Sequence, residues 1–382
     1  MSAGAAPRRL PSDALNVLHL YPKADFHTGA AIQLCELAAG LARRGHHVVV
    51  ATSPSRAWAT RLGALAIRHA EIPMKRAWDP RAVWRLRRLL AEHRIDVVHA
   101  HKGRARTLTL LAGLAGPRPV LLLNRGVTFP ITRWNRIGYT TSRVHGIVAV
   151  CEAIRRQLVS SGVPAGKIEV IYSGTDVDRF HPGVDGSRIR GELGLGPEHF
   201  LVTQIGVRSW RGWQDVLAAM ERVAPKLPSA RLCFVGAPAP RIAELNDHAR
   251  RRGLGARVAV LGHRDDVPEI LCASDVVVDA SWAGLGLTGS LREALACGRP
   301  VIGTNLAGMP ELIVEGKTGL LVPPRDPDAL AGAIVTLAED PAWRAEIGRA
   351  GRRRVEDRFS LRAKLDATED LYRRLVGRRG LQ

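Results

Sequence analysis

The residues of this chain whose types and spacing could do chemistry fall into three groups. The first is a glycine-rich turn. Asp275-Val-Val-Val-Asp279 leads to Gly284, Gly286 and Gly289, and then to Arg292-Glu-Ala-Leu-Ala296. This reads as strand, loop and helix, with Thr288 and Ser290 where a helix N-cap belongs. Glycines opening onto a helix N-terminus present free amide donors and the positive end of the helix dipole, which is a cradle for phosphate. Glu293 lies one turn into that helix, and two readings of it are open. It is a carboxylate favoured by the dipole, or it accepts two hydrogen bonds from a ribose diol. The second group is Gly206-Val-Arg208-Ser-Trp-Arg211, at the end of a strand. Two guanidiniums three residues apart could clamp a diphosphate bidentately; they could equally be solvated loop arginines. The third group is in the N-terminal half: Gly29 in the first loop, then His101, Lys102, Arg104 and Arg125 at later strand ends.

These groups need a scaffold that gathers strand ends. Strands are predicted at 15–21, 47–51, 95–101, 120–124, 146–151 and 168–172, with helices at 30–44, 78–94 and 152–161. A second series has strands at 201–205, 231–235, 258–261, 275–279, 301–302 and 319–322. Its helices are predicted at 213–226, 240–252, 267–273, 290–297 and 326–339, and a basic helical tail runs from 341 to 378. Residues 125–143 read as a loop and 173–199 as the interdomain connection. His99 reads as pointing away from His101, into the core. The alternation predicts an α/β protein of two facing doubly wound, Rossmann-like parallel-sheet domains. Residues 1–180 and 181–360 are the expected domains, with 361–382 a helix packing back toward the first. Ligands bind such sheets at the carboxyl ends of the strands.

A length of 382 residues suits two domains. The net charge of +20 suits polyanionic partners, or merely a solvated basic surface. No nucleic-acid signature accompanies it, so no specific nucleic acid is expected. The five cysteines are scattered and read as buried free thiols, not as a metal or disulfide framework. No apolar run approaches the ~20 residues that cross a bilayer. Residues 1–10 lack an apolar signal region and read as a disordered lead-in. The helix at 78–94 sets Val83, Leu86, Leu89 and Leu90 on one face, ringed by arginines and flanked by Trp78 and Trp84. It is a packed surface helix or one that lies on anionic lipid.

Several stretches resemble glycosyltransferase family 4. Gly29-Ala-Ala is similar to its glycine-rich loop, Asp96-Val-Val-His-Ala-His101 to its "DVVHAH" strand, and Ile147-Val-Ala-Val-Cys-Glu152 to "viavSe", with Cys151 replacing serine. Val170-Ile-Tyr-Ser-Gly-Thr-Asp176 resembles "vIpNGvD" and Gly262-His-Arg-Asp-Asp-Val267 resembles "GfrdDv". Arg292-Glu-Ala-Leu-Ala-Cys-Gly-Arg-Pro-Val-Ile302 is similar to "LEAMACGkPVI", the most specific match. The resemblance implies the GT-B architecture, with an acceptor-side N-terminal domain and a nucleotide-sugar-binding C-terminal one. It implies retention of anomeric configuration with no cofactor and no bound metal. Arg208, Arg211 and Glu293 become the expected catalytic set. Gly206, Gly286, Thr288, Gly289, Ser290 and Arg264 become donor-binding residues. Gly29, His101, Lys102 and Arg125 become acceptor-side residues.

The chain departs from the family pattern in two places. The first Glu of the E-x7-E motif is replaced, by Leu285 or Ala283 depending on the alignment. Asn124-Arg125-Gly126 stands where the family often has His-Gly. The expected activity is transfer of a hexose or heptose from a nucleotide sugar to a lipid-linked or cell-envelope glycan, as in lipopolysaccharide biosynthesis. The expected place is the cytoplasm, peripheral on the anionic inner face of the cytoplasmic membrane. The rival readings are another nucleotide-sugar enzyme, such as an epimerase, and a non-catalytic nucleotide-sugar binder.

Overall fold

The computed structural model describes residues 14–26, 28–76, 78–283 and 286–380. The lead-in at 1–10 and the loop residues Gly284 and Leu285 lie outside the described residues. Two parallel sheets are present. The first is built from β1 (Asn16–Tyr21), β2 (His47–Thr52), β3 (Arg68–Glu71), β4 (Val97–His101), β5 (Val120–Arg125), β6 (Gly146–Ala149) and β7 (Ile168–Val170), in the order β3-β2-β1-β4-β5-β6-β7. The second holds β8 (Phe200–Ile205), β9 (Ala230–Val235), β10 (Val258–Leu261), β11 (Val276–Asp279), β12 (Val301–Thr304) and β13 (Leu320–Val322), in the order β10-β9-β8-β11-β12-β13. The order reverses between β1 and β4 and between β8 and β11. These are the two points where helices leave opposite faces and a crevice opens at the carboxyl ends.

Local chemistry sets the elements. Most of the strands are Val/Leu/Ile runs buried on both faces, as parallel strands must be. Thr28 caps the helix Gly29–Arg43 by accepting from the Ala31 amide at 3.3 Å. Asp79 does the same for the helix Pro80–Glu92, accepting from Arg81 at 2.9 Å. The strand β3 has no apolar run, since Arg68-His-Ala-Glu71 is a sheet edge, and it was not among the predicted strands. The segment 125–143 is not all loop: Arg133–Thr140 is a helix whose N-cap, Thr132, accepts from Asn135 at 3.2 Å. The predicted tail is two helices, Pro341–Arg358 and Leu361–Gly380.

The chain crosses between the sheets twice, side by side. The Thr175 amide donates to the Phe359 carbonyl and the Leu361 amide to the Thr175 carbonyl, both at 2.8 Å. The last helix then lies on the first domain. Leu365, Leu371, Tyr372 and Leu375 are buried among Val17, Leu34, Leu37, Val97 and Leu122. A Cβ on Gly40 would come within 2.5 Å of Leu365, so the two helices meet nearly backbone to side chain. Arg44 adds ion pairs to Asp366 at 2.6 Å and Glu369 at 2.8 Å.

Candidate active site at the two sheet switch points

At the β8/β11 switch, Gly206 turns the chain with φ +87°. The Arg211 guanidinium lies beside it, 3.8 Å from where a Cβ on Gly206 would stand. The positive φ is what needs glycine there, since a Cβ would stand only at ordinary contact distance from the guanidinium. Arg211 pairs with Asp279, the last residue of β11, whose side chain is 1% exposed. Asp279 also accepts from the Ser281 amide at 3.0 Å. Gln204 holds the loop by donating to the Arg211 carbonyl at 2.9 Å. Gly212 is pressed against the next loop, since a Cβ there would lie 2.1 Å from the Ala280 carbonyl oxygen. Arg208 is different: it is exposed and stacks over the Trp210 ring at 5.6 Å.

The helix Gly289–Ala296 begins at Thr288, which caps it by position only: its side chain makes no cap hydrogen bond. Thr288 Oγ1 and Ser290 Oγ are buried with no hydrogen-bond partner. Glu293 curls back toward the helix start, its Oε1 3.6 Å from where a Cβ on Gly289 would be. Burial raises its pKa, opposed by the charges of Arg292, Arg179 and Arg211. Glu293 therefore sits against the Gly289 end of its helix, with the charges of Arg292, Arg179 and Arg211 acting on it. Arg292 is 2% exposed, and its Nε and Nη1 have no partner. A buried polar atom left unpaired costs ~1–3 kcal/mol, and several such atoms gather around this one helix end.

Four candidate residues are engaged otherwise. Arg264 is not free for a donor: its Nε and Nη2 donate to Asp266 at 2.8 and 2.7 Å, and its Nη1 and Nη2 to Glu192 at 2.5 and 2.8 Å. Two carboxylates already consume its planar fork. Gly286 serves the domain contact, since a Cβ on it would lie 2.8 Å from the Gly126 carbonyl oxygen and 2.9 Å from Val150. His101 does not open into the cleft. It is 6% exposed, stacked on His99 at 4.5 Å, and shares a hydrogen bond with His19 at 3.2 Å. His99 and His101 share a face because strand side chains repeat every two residues, which corrects the opposite reading above. Arg104 is tied to the carbonyls of Met74 and Lys75 at 3.0 and 3.1 Å.

The β1/β4 switch retains a cationic set. Lys102 follows β4 with φ +84° and ψ 158°, a region nearly reserved for glycine. Its pKa is lowered by desolvation and by the charges of Lys23 and Arg125. Arg125 is half-buried, donates to the Phe129 carbonyl, and leaves its Nε unpaired. Gly29 opens the first helix, with open space around its Cα.

Sequence reasoning missed several partners that are far apart in the chain. Gln33 brackets Gly174, donating to its carbonyl at 2.8 Å and accepting from its amide at 3.0 Å. It also donates to Glu36 at 2.7 Å and accepts from Lys364 at 3.0 Å. Glu311 of the second domain accepts from the amides of Glu152 and Ala153 at 2.7 and 2.9 Å, capping the helix Glu152–Ser160 of the first. Cys151 occupies the N-cap and makes no cap bond. The replacement of serine by Cys151 was visible in the sequence; the distant carboxylate that compensates was not.

Comparison with known proteins gives the geometry its context. The model for Glycosyltransferase Family 4 matches residues 27–179, and that for Glycosyl transferases group 1 matches 199–340. A GDP-mannose-dependent alpha-(1-6)-phosphatidylinositol monomannoside mannosyltransferase of Mycobacterium tuberculosis is 31% identical over 303 residues, 74% of this chain and 77% of that protein. The Mycolicibacterium smegmatis protein of the same name is 29% identical, over 80% of this chain and 83% of its own length. The crystal structure of a glycosyltransferase from Rickettsia africae superposes with a TM-score of 0.88 at 19% identity, covering 95% of this chain and 99% of that one. Two facing parallel-sheet domains and relatedness over about three quarters of the sequence lead to one assignment: the chain is a glycosyltransferase of family 4, with the GT-B fold.

Proposed function

We propose that the chain transfers a hexose or heptose from a nucleotide sugar, with retention and without a metal in the reaction, to an anionic lipid-linked or cell-envelope glycan. The observation that carries this is the set of buried, unpartnered hydroxyls of Thr288 and Ser290 at a helix N-terminus shared with Glu293 and reached by the Arg211 charge. In this reading the bond from the sugar C1 to the diphosphate oxygen breaks as the acceptor hydroxyl bonds to C1. The hydroxyl proton leaves with the nucleoside diphosphate. Negative charge grows on the diphosphate, and Arg211 and the Gly289 and Ser290 amides stabilise it. One such preorganised donor is worth ~3 kcal/mol. Glu293 takes the ribose diol, and Arg208 closes over the outer face of the diphosphate. On the acceptor side, Lys23, Lys102 and Arg125 suit a phosphate-bearing acceptor. The mycobacterial relatives, whose names specify GDP-mannose and a phosphatidylinositol mannoside, support both assignments.

The helix Pro80–Glu92 supports work at a membrane surface. Trp78 and Trp84 are 68% and 59% exposed, and Arg88 stands over the Trp84 ring at 5.9 Å. No helix among the described residues is long and apolar enough to cross a membrane. Flotation with vesicles containing anionic lipid at low salt checks this; an indifferent protein would refute the membrane arm.

The test of the activity is a panel of UDP-, GDP- and ADP-sugars in thermal shift, followed by nucleoside diphosphate release with a lipid extract as acceptor. Release that requires the extract supports transfer. Sugar-nucleotide turnover without it favours an epimerase. Binding with no release favours a non-catalytic binder, the reading to which the missing first Glu points.

A further inference from the structure

Three histidines are packed together on the face of the first sheet that the helices Gly29–Arg43 and Leu361–Gly380 cover. His19 of β1 is in register with His99 of β4, and His101 follows two residues later on the same face. The rings are 0%, 2% and 6% exposed. The His99 and His101 rings stack at 4.5 Å, and each centroid lies 5.5 Å from that of His19. One nitrogen from each ring lies within 4.8 Å of the other two. We infer that these three imidazoles form a binding site for a single d-block cation of the zinc class, inside the N-terminal domain and apart from the donor cleft.

Hydrogen-bond accounting supports this. His19 Nδ1 and His101 Nε2 share one bond at 3.2 Å, and His99 Nδ1 is 2.7 Å from Tyr372 Oη. His19 Nε2 and His99 Nε2 are then buried with no partner. An apolar layer has no use for two stranded imidazole nitrogens. If His99 donates Nδ1–H to Tyr372 and His19 donates Nδ1–H to His101, both Nε2 atoms carry bare lone pairs. Metal-binding histidines show this arrangement: the outer N–H goes to an oxygen or other acceptor, and the inner lone pair goes to the ion. His99 meets this arrangement in full, whereas His101 Nε2 offers a lone pair to the cation only by releasing His19 Nδ1–H from the bond they share.

Protonation does not compete. All three rings are buried, and withdrawing a charged imidazolium from water is costly, so burial favours the neutral form. Neutral imidazole is the ligating form. An all-nitrogen set suits zinc, copper, nickel or cobalt and not magnesium or calcium. After burial, the neighbouring imidazoles act most strongly on His99 and His101, and Lys364 is the one cation that acts on all three rings. With no carboxylate among the described residues hydrogen-bonded to the imidazoles, affinity falls by roughly 10–100-fold relative to carboxylate-backed sites. The bound ion would staple β1 to β4 and, through Tyr372, to the C-terminal helix.

The experiment uses the full chain, stripped with a chelator, equilibrated with zinc chloride alone and desalted. Metal analysis should return one zinc per chain, and zinc-edge absorption should show three nitrogen ligands at about 2.0–2.1 Å with no sulfur. His99→Gln should retain none, while substitution of the exposed His47 to Gln should retain the full amount. Should His99→Gln not fold, the absorption spectrum of the unaltered chain decides alone. No retained zinc, equal retention by a folded His99→Gln, fewer than three imidazoles, or a sulfur-containing shell would each overturn the inference.

Discussion

Replacing Arg211 with alanine separates two roles that the structure gives to one guanidinium. In the free protein it neutralises Asp279, which is 1% exposed. Stripping the partner from a fully buried ion pair costs ~3–5 kcal/mol. Here Asp279 keeps the Ser281 amide, and Arg211 is itself 26% exposed, so about 2–3 kcal/mol is expected. At about 2–4 °C per kcal/mol for a domain of this size, the Tm of the free variant should fall by roughly 5–10 °C. The second role appears only with ligand. A nucleoside diphosphate at about 100 times its Kd stabilises the unaltered protein by ~2.7 kcal/mol. Losing a charge-assisted contact worth ~1.5–3 kcal/mol weakens binding by roughly 10–100-fold. At the same ligand concentration the stabilisation then shrinks to about 0.4–1.4 kcal/mol. The assay is a thermal shift series with and without GDP and UDP. Asp279→Asn serves as the control that removes the ion pair but leaves the guanidinium free for ligand. An Arg211→Ala variant whose ligand-induced shift equals that of the unaltered protein would remove Arg211 from the donor site, whatever its free Tm.

Lys102→Gly should relieve a backbone strain of about 1–3 kcal/mol and raise Tm by a few degrees, offset by the entropy of glycine. It should also raise the KM for an anionic acceptor while leaving donor Kd unchanged; an unchanged acceptor KM would count against the cationic acceptor site. Glu311→Ala should cost about 2–3 kcal/mol through two lost charge-assisted amide bonds. Tm should drop and small-angle scattering should show a larger radius as the domains loosen, whereas Glu311→Gln should lose only part of this. A pH series tests Glu36, whose carboxyl is raised from 4.5 to about 7 by desolvation, with Lys364 opposing. Its folded pKa exceeds its unfolded one, so its contribution is fully present below about 4.5 and is lost as pH rises through about 7. Glu36→Gln should therefore gain stability on the unaltered protein across that window, and parallel profiles would refute the assignment.

Much of the scaffold was legible because parallel strands buried on both faces must be apolar runs, and those runs stand out between glycines. The helix after Gly286 was legible for the same reason, as were Arg211 at a strand end and Glu293 one turn in. The strand Arg68-His-Ala-Glu71 was not, since an edge strand carries no such run. The His99 orientation was available from strand periodicity and was read the wrong way. Partners set by tertiary structure left no local trace. Glu192 lies 72 residues from the Arg264 it neutralises, and Glu311 lies 159 from the amide it caps. The Gln33–Lys364 contact spans 331 residues. Loop arginines look alike in sequence, and only the fold distinguishes Arg211, held on Asp279, from Arg264, held on two surface carboxylates.

A crystal structure with bound GDP or UDP tests the central claim most directly. The account predicts the pyrophosphate oxygens within hydrogen-bond reach of the Gly289 and Ser290 amides and of the Arg211 guanidinium, with the ribose diol on Glu293. A nucleotide seated elsewhere, with Thr288, Ser290 and Arg211 untouched, would contradict it.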